Sequence, residues 1–172
     1  MVDAGCGEGR NLVYLLQKGF TCFGVDNDPR AIDRIRQLAA RLAPSQAAEN
    51  FQVAPVERMP WADGSMDAVV ASALLHFARD VDYFNAMVDE MWRVLAPSGL
   101  FFARLASNIG MEAAVPVAGQ RVTIPDGSVR FVVDQRMLLD CTSRLGGRLA
   151  DPIKTTNVQQ ERCMTTWCVE KA

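Results

Sequence analysis

Apolar and polar positions alternate along this chain in blocks whose period switches between that of a strand and that of a helix. "MVDAG" (1–5) reads as a short buried strand and "GRNLVYLLQKG" (9–19) as a helix closed by Gly19. "FTCFGVD" (20–26) is a strand of aromatic and β-branched residues. In "DPRAIDRIRQLAARLAP" (28–44), Asp28 stands where a helix N-cap belongs and Pro29 at the first helical position. Its apolar positions Ile32, Ile35, Leu38, Ala39 and Leu42 follow helical spacing. "NFQVAPV" (50–56) is a weaker strand. "MDAVVASALL" (66–75) is a continuous apolar run, as in a central parallel strand covered on both faces. A helix over 82–99 gathers Phe84, Met87, Val88, Met91, Val94 and Leu95 on one face and ends near Pro97 and Gly99, before the strand "LFFARLAS" (100–107).

Such alternation predicts an α/β fold: a doubly wound, mostly parallel sheet with right-handed crossovers and helices on both faces. Beyond residue 108 the pattern changes. "QRVTI" and "SVRFVV", separated by "PDG", predict a β-hairpin. A helix over 134–147 is capped by Asp134 and stopped at Gly146 and Gly147, and 150–158 with 163–171 forms an antiparallel C-terminal pair. Without repeat, low-complexity tract or linker, residues 1–172 are expected to form one domain.

Composition narrows the function classes. Apolar residues make up 49% and charged ones 22%, with a net charge of -2, which gives no electrostatic footprint for nucleic acid. The densest basic cluster, Arg30, Arg34, Arg36 and Arg41, falls on one helix and reads as a solvated face. No apolar run is long enough to span a bilayer, and no secretory signal is visible. Five cysteines without CxxC spacing read as free thiols of a cytoplasmic protein, and a single histidine, His76, argues against a structural metal.

Candidate chemistry starts in "VDAGCGEGRN" (2–11), where Gly5, Gly7 and Gly9 alternate just after the first strand. In an open α/β sheet ligands bind beyond the carboxyl ends of the strands, and a glycine turn there lets backbone approach them closely. The spacing is G-x-G-x-G, whereas the dinucleotide fingerprint places its third glycine one residue later, where Arg10 stands here. Asp26 ends the second strand 17 residues after Gly9, placed to accept hydrogen bonds from both ribose hydroxyls.

These residues resemble the class I S-adenosylmethionine (SAM) dependent methyltransferases, especially the type 11-like small-molecule group. The resemblance rests on Asp3 to Gly9, Asp26, "PVERMPW", Met66–Asp67, Leu75–His76–Phe77 and "WRVLAPSGLFFAR", in order over residues 1 to about 105. "GCGEGRNLVYLLQKG" is also similar to the tellurite and thiopurine methyltransferases. The resemblance implies SAM as cofactor, S-adenosylhomocysteine (SAH) as product, a small-molecule methyl acceptor, and a chain that starts without the family's usual N-terminal helices. It implies that residues 1–107 bind SAM and 108–172 form the acceptor side. The missing N–P–P–Y/F motif after strand four, where "ASALLHF" stands, argues against DNA adenine or protein glutamine acceptors.

By position, the resemblance implies that Gly5, Cys6, Gly7 and Gly9 pass the methionine part of SAM, with Asp3 supporting the loop. Asp26 with Asn27 would hold the ribose. The family's adenine carboxylate falls on Pro55, leaving the backbone N–H of Val56 and the side chain of Glu57, which otherwise reads as a surface carboxylate; Met59 and Trp61 either pack on the ring or belong to the core. Ala71 and Ser72 line the methionine end. Arg10 pairs with the SAM carboxylate or points outward from its helix. His76 is either a satisfied structural group or a general base, and Arg104, Ser107 and Asn108 are the candidate acceptor contacts. Two alternatives remain beside a methyltransferase: a non-catalytic SAM-binding domain, and a nicotinamide-dependent oxidoreductase, disfavoured by the glycine spacing.

Overall fold

The computed structural model describes all residues, 1–172. Strands β1 (Val2–Ala4), β2 (Phe23–Asp26), β3 (Phe51–Val53), β4 (Met66–Ser72) and β5 (Leu95–Ala106) run parallel in the spatial order β3-β2-β1-β4-β5. Hairpin strands β6 (Gln120–Thr123) and β7 (Val129–Val132) form a separate two-stranded sheet. Beyond β5 the main sheet continues with β10 (Arg162–Lys171), antiparallel to it. The outer edge of β10 is shared by β9 (Lys154–Val158) along its first half and β8 (Gly147–Leu149) at its end. The chain leaves β1 to one side for β2 and β3, and to the other for β4 and β5. That reversal sets the carboxyl ends of β1, β2 and β4 side by side, where open α/β sheets bind their ligands.

Four helices, α1 (Val13–Gln17), α2 (Pro29–Leu42), α3 (Val81–Val94) and α4 (Gln135–Arg144), join these strands. Asp28 caps α2 by accepting from the Arg30 N–H, and Gly19, in the left-handed region at φ 79°, follows the last turn of α1. Ile32, Ile35 and Ala39 of α2 bury against Leu12, Leu16, Cys6, Cys22 and Phe51. On the other face Phe84, Met87, Val88 and Met91 of α3 and Leu138 of α4 meet the larger core, which includes Phe101, Trp167 and Val169. All five cysteines are free, and no helix is long and apolar enough to cross a membrane.

Within that larger core Trp167 is fully buried, packed edge-on against Phe101 with centroids 5.1 Å apart. Its indole N–H donates to the Thr142 hydroxyl at 2.9 Å, which in turn donates to the Leu138 carbonyl at 2.8 Å. Thr142→Val keeps the shape but strands the indole donor. Such a group costs about 1–3 kcal/mol, so urea denaturation should show a loss of that size, recovered in part by Thr142→Ser.

Four local readings differ from the sequence expectation. Helix α1 covers only five residues because Gly9, at φ 86°, and the turn over residues 10–12 hold its expected first turn out of helical geometry. Strand β4 is covered on one face only: Val69 and Ala71 are fully buried, whereas Ala68, Val70 and Ser72 are half-buried. The α1–α2 cluster includes no residue of β4 or β5, which accounts for that asymmetry. Helix α3 stops at Val94, and β5 begins at Leu95 with a register shift before the continuous pairing of Ala68 with Leu100. Gly147, expected as a helix stop, opens β8, because a side chain there would collide with Val169 and Trp92.

Candidate functional site

The turn after β1 holds all three glycines in the left-handed region, Gly5 at φ 68°, Gly7 at 51° and Gly9 at 86°. Each meets a different need. A side chain on Gly9 would run into Ile35 of α2, so its absence lets α2 pack onto the loop; Gly5 lies under Leu74; Gly7 faces open space. The Gly7 N–H donates to one Asp26 oxygen at 2.9 Å, and the Asp28 N–H donates to the other at 2.9 Å. Cys6 N–H donates to the Val25 carbonyl at 2.9 Å. The loop is thus stitched to the end of β2 through a half-buried carboxylate. Two of its lone-pair sites stay available.

Beneath the loop, Asp3 is fully buried and accepts from the Asn11 amide at 3.2 and 3.4 Å. Burial pushes its carboxyl up to about 7, against the Asn11 hydrogen bond and with help from the Asp26 charge. Asp3 therefore supports the loop from below and presents no surface to a ligand. The same burial, with Asp3 and Asp26 nearby, raises the Cys6 thiol, which stays protonated. Above the loop, Glu8 pairs with Arg34 of α2, while Arg10 and Asn27 are exposed and Arg10 has no carboxylate partner.

On the β3 side, a 3-10 turn over Val56–Arg58 buries Val56. Glu57 is half-buried and accepts from the Tyr83 hydroxyl at 3.0 Å, while the Arg79 guanidinium lies 4.0 Å from the Tyr83 ring centroid. Burial, then Glu57, raises the Tyr83 phenol. Met59 belongs to the larger core and Trp61 packs edge-on against Phe23 at 5.8 Å. Ala71 is buried and Ser72 half-buried at the end of β4. The next residue, Ala73, adopts φ 61°, a conformation that strains a residue with a Cβ. It is held there by its N–H donating to the Arg104 carbonyl at 2.8 Å.

A cavity of about 320 Å³ opens at the carboxyl ends of β4 and β5, lined by Ala73, His76, Arg104, Arg130 and Arg162 among others. His76 is 5% exposed, and its Nδ1 is buried without a hydrogen-bond partner. Burial, then the charges of Arg130 and Arg104, push its imidazole down to about 4, so it is neutral at pH 7. Ser107 and Asn108 point elsewhere. The Ser107 hydroxyl lies 2.6 Å from that of Thr165, and the Asn108 amide donates to the Val115 carbonyl at 3.2 Å.

The Methyltransferase domain family model matches residues 2–103 of this chain. The chain belongs to the class I SAM-dependent methyltransferases. A curated relative, the 2-heptyl-1-hydroxyquinolin-4(1H)-one methyltransferase of Mycobacteroides abscessus, is 36% identical over 124 residues, covering 69% of this chain and 52% of that protein. The chain spans about half or less of the length of the curated relatives it matches. Among solved structures, a SAM-dependent methyltransferase from Methanosarcina mazei superposes with TM-score 0.75 at 19% identity, over 99% of this chain and 91% of that one. The 1,6-didemethyltoxoflavin-N1-methyltransferase of Burkholderia thailandensis, solved with 1,6-didemethyltoxoflavin and SAH, gives 0.74 at 18%, over 99% and 70%. Both likenesses establish the fold.

The sheet brings the motif residues of β1, β2 and β4 to one edge. The cavity adds Arg130 of β7 and Arg162 of β10, which the sequence reading did not single out. Neither lies in a motif, and their convergence depends on how the β6–β7 hairpin folds back toward β5. The only hint in the chain was the basic residue inside "SVRFVV".

Proposed function

We propose that this chain binds SAM across the carboxyl ends of β1, β2 and β4 and directs methyl transfer to a small molecule held on the β4–β5 side. The observation that carries the reading is the Gly7–Asp26 junction. A glycine with open space over it donates to a carboxylate that retains two lone-pair sites, which fits a nucleoside whose ribose hydroxyls need an acceptor. Gly5 and Gly7 offer bare backbone to the methionine part, Ala71 and Ser72 border it, and Arg10, exposed, has no carboxylate partner to compete with that of SAM. Val56 and Glu57 flank the adenine position, with Glu57 oriented by Tyr83.

Bound SAM supplies an electrophilic methyl group whose sulfonium charge disperses in an in-line displacement. The protein's task is alignment, worth many powers of ten by itself. His76 is a weak proton acceptor in its buried, arginine-flanked setting, and an acceptor that arrives ionised needs no base. Isothermal titration tests the reading: SAM and SAH should bind at micromolar concentrations and NAD should not. Absence of SAH binding at about millimolar concentration sinks it.

A further inference from the structure

We infer that the cavity at the ends of β4 and β5 is a binding site for a small organic carboxylate with an apolar body, the acceptor class of this methyltransferase. The inference rests on the proposed function for the word acceptor, and on the cavity alone for the word carboxylate. Three arginines, Arg104 and Arg162 exposed and Arg130 half-buried, are among the residues lining the cavity, and the only acidic residue there is Asp126. None of the three arginines forms an ion pair. Asp126 accepts from the Ser128 N–H and hydroxyl at 2.9 and 2.6 Å, and the Arg162 and Arg130 charges also act on it, so one carboxylate faces three cations. A cavity of about 400 Å³ beside α4 shows the contrast. Its Arg136 pairs with Asp140 and its Arg144 with Asp89, leaving no surplus charge.

The surplus is anchored at Arg130, with Arg104 and Arg162 exposed at the rim. Arg130 is half-buried, its guanidinium 5.2 Å from the Phe77 ring centroid and bonded through Nη1 to the Val129 carbonyl at 3.1 Å. This cation–π contact with Phe77 leaves most of the guanidinium donors free, the arrangement that suits bidentate capture of a carboxylate. His76 is more than nine-tenths buried, lines the same cavity and carries an unpartnered nitrogen. Phe77, Ile124, Ala106 and Met164 complete the walls with apolar surface. Cations are repelled by this lining, and a neutral ligand leaves the guanidinium donors without a charged partner. An anion with a flat apolar body satisfies both, and the volume suits a small ligand.

The test titrates the full chain with benzoate, phenylacetate and trans-cinnamate, with their neutral amides, and separately with SAH. The carboxylates should bind at least about tenfold more tightly than the amides, and Arg130→Gln and Arg162→Gln should each weaken them about fivefold or more while leaving SAH affinity within about twofold. Circular dichroism and the unchanged SAH affinity certify that both variants fold. If SAH binds but the carboxylates do not, or the amides match them, or neither variant weakens them, the carboxylate site is overturned and the methyltransferase reading stands. If SAH fails to bind while the carboxylate pattern holds, the site stands and the methyltransferase reading falls.

Discussion

Asp26→Ala should lower the affinity for SAM and SAH by about 100- to 10,000-fold. A carboxylate that accepts from two ribose hydroxyls makes two charge-assisted hydrogen bonds, each worth about 1.5–3 kcal/mol, and about 1.4 kcal/mol is a factor of ten in affinity. The structure adds a second reason. The same two oxygens take the Gly7 and Asp28 N–H groups, so alanine also releases the loop from the end of β2. The two contributions separate with Asp26→Asn, which keeps one side-chain oxygen but exchanges the other for a donor that faces an N–H. If ribose recognition dominates, titration calorimetry should show the asparagine variant losing far more affinity than the fall in its urea midpoint accounts for. A loss smaller than about threefold in the alanine variant means that the ligand does not engage this carboxylate.

The same residue illustrates how far the candidate site is legible before folding. Asp26 and the glycines were found from spacing, because a short motif at a strand end fixes its own geometry through local backbone. Ile32, Ile35 and Ala39 were legible for a related reason: helical period places them on one face whatever the helix packs against. Arg130 and Arg162 were not, since strands from distant parts of the chain bring them to Arg104 and no local period encodes that approach. Ser107 and Asn108 follow β5 on the expected edge, yet their side chains turn inward to Thr165 and Val115. A strand places successive side chains on opposite faces, so a change of one residue in where the strand ends decides whether a hydroxyl meets ligand or core. Strand β4 shows the complementary limit. An apolar run reports that a strand is central and does not say that a helix covers each face, and here only one face is fully covered.

Asp3 gives the second large effect, and it concerns stability against pH. The carboxyl is fully buried, close to Asp26, and its pKa stands at about 7 against an ordinary 3.8. The folded state thus holds this proton more tightly than the unfolded chain does. The stability contributed by the protonated group is fully present below about pH 4 and is lost as pH rises through about 7. At about 1.4 kcal/mol per pH unit of separation, the whole loss is about 4 kcal/mol, a large part of the 5–15 kcal/mol typical of a domain. Asp3→Asn keeps the size of the side chain and its acceptor for Asn11, and resembles the protonated form at every pH. Denaturation in urea should therefore show the variant more stable than the parent, with a gap that widens by about 2–3 kcal/mol between pH 5 and pH 8. Other titrating groups are common to both proteins and cancel in the difference. A gap that does not change with pH contradicts the raised carboxyl. A destabilising acid kept at the foot of the glycine loop is the kind of feature that function retains against stability. Its Asn11 bond fixes the turn that ends in Gly9, and Gly9 in turn lets α2 approach the loop. If that is its use, Asp3→Asn should gain stability and still hold SAH with nearly parental affinity in the same calorimetric titration, because the asparagine oxygen continues to receive the Asn11 amide.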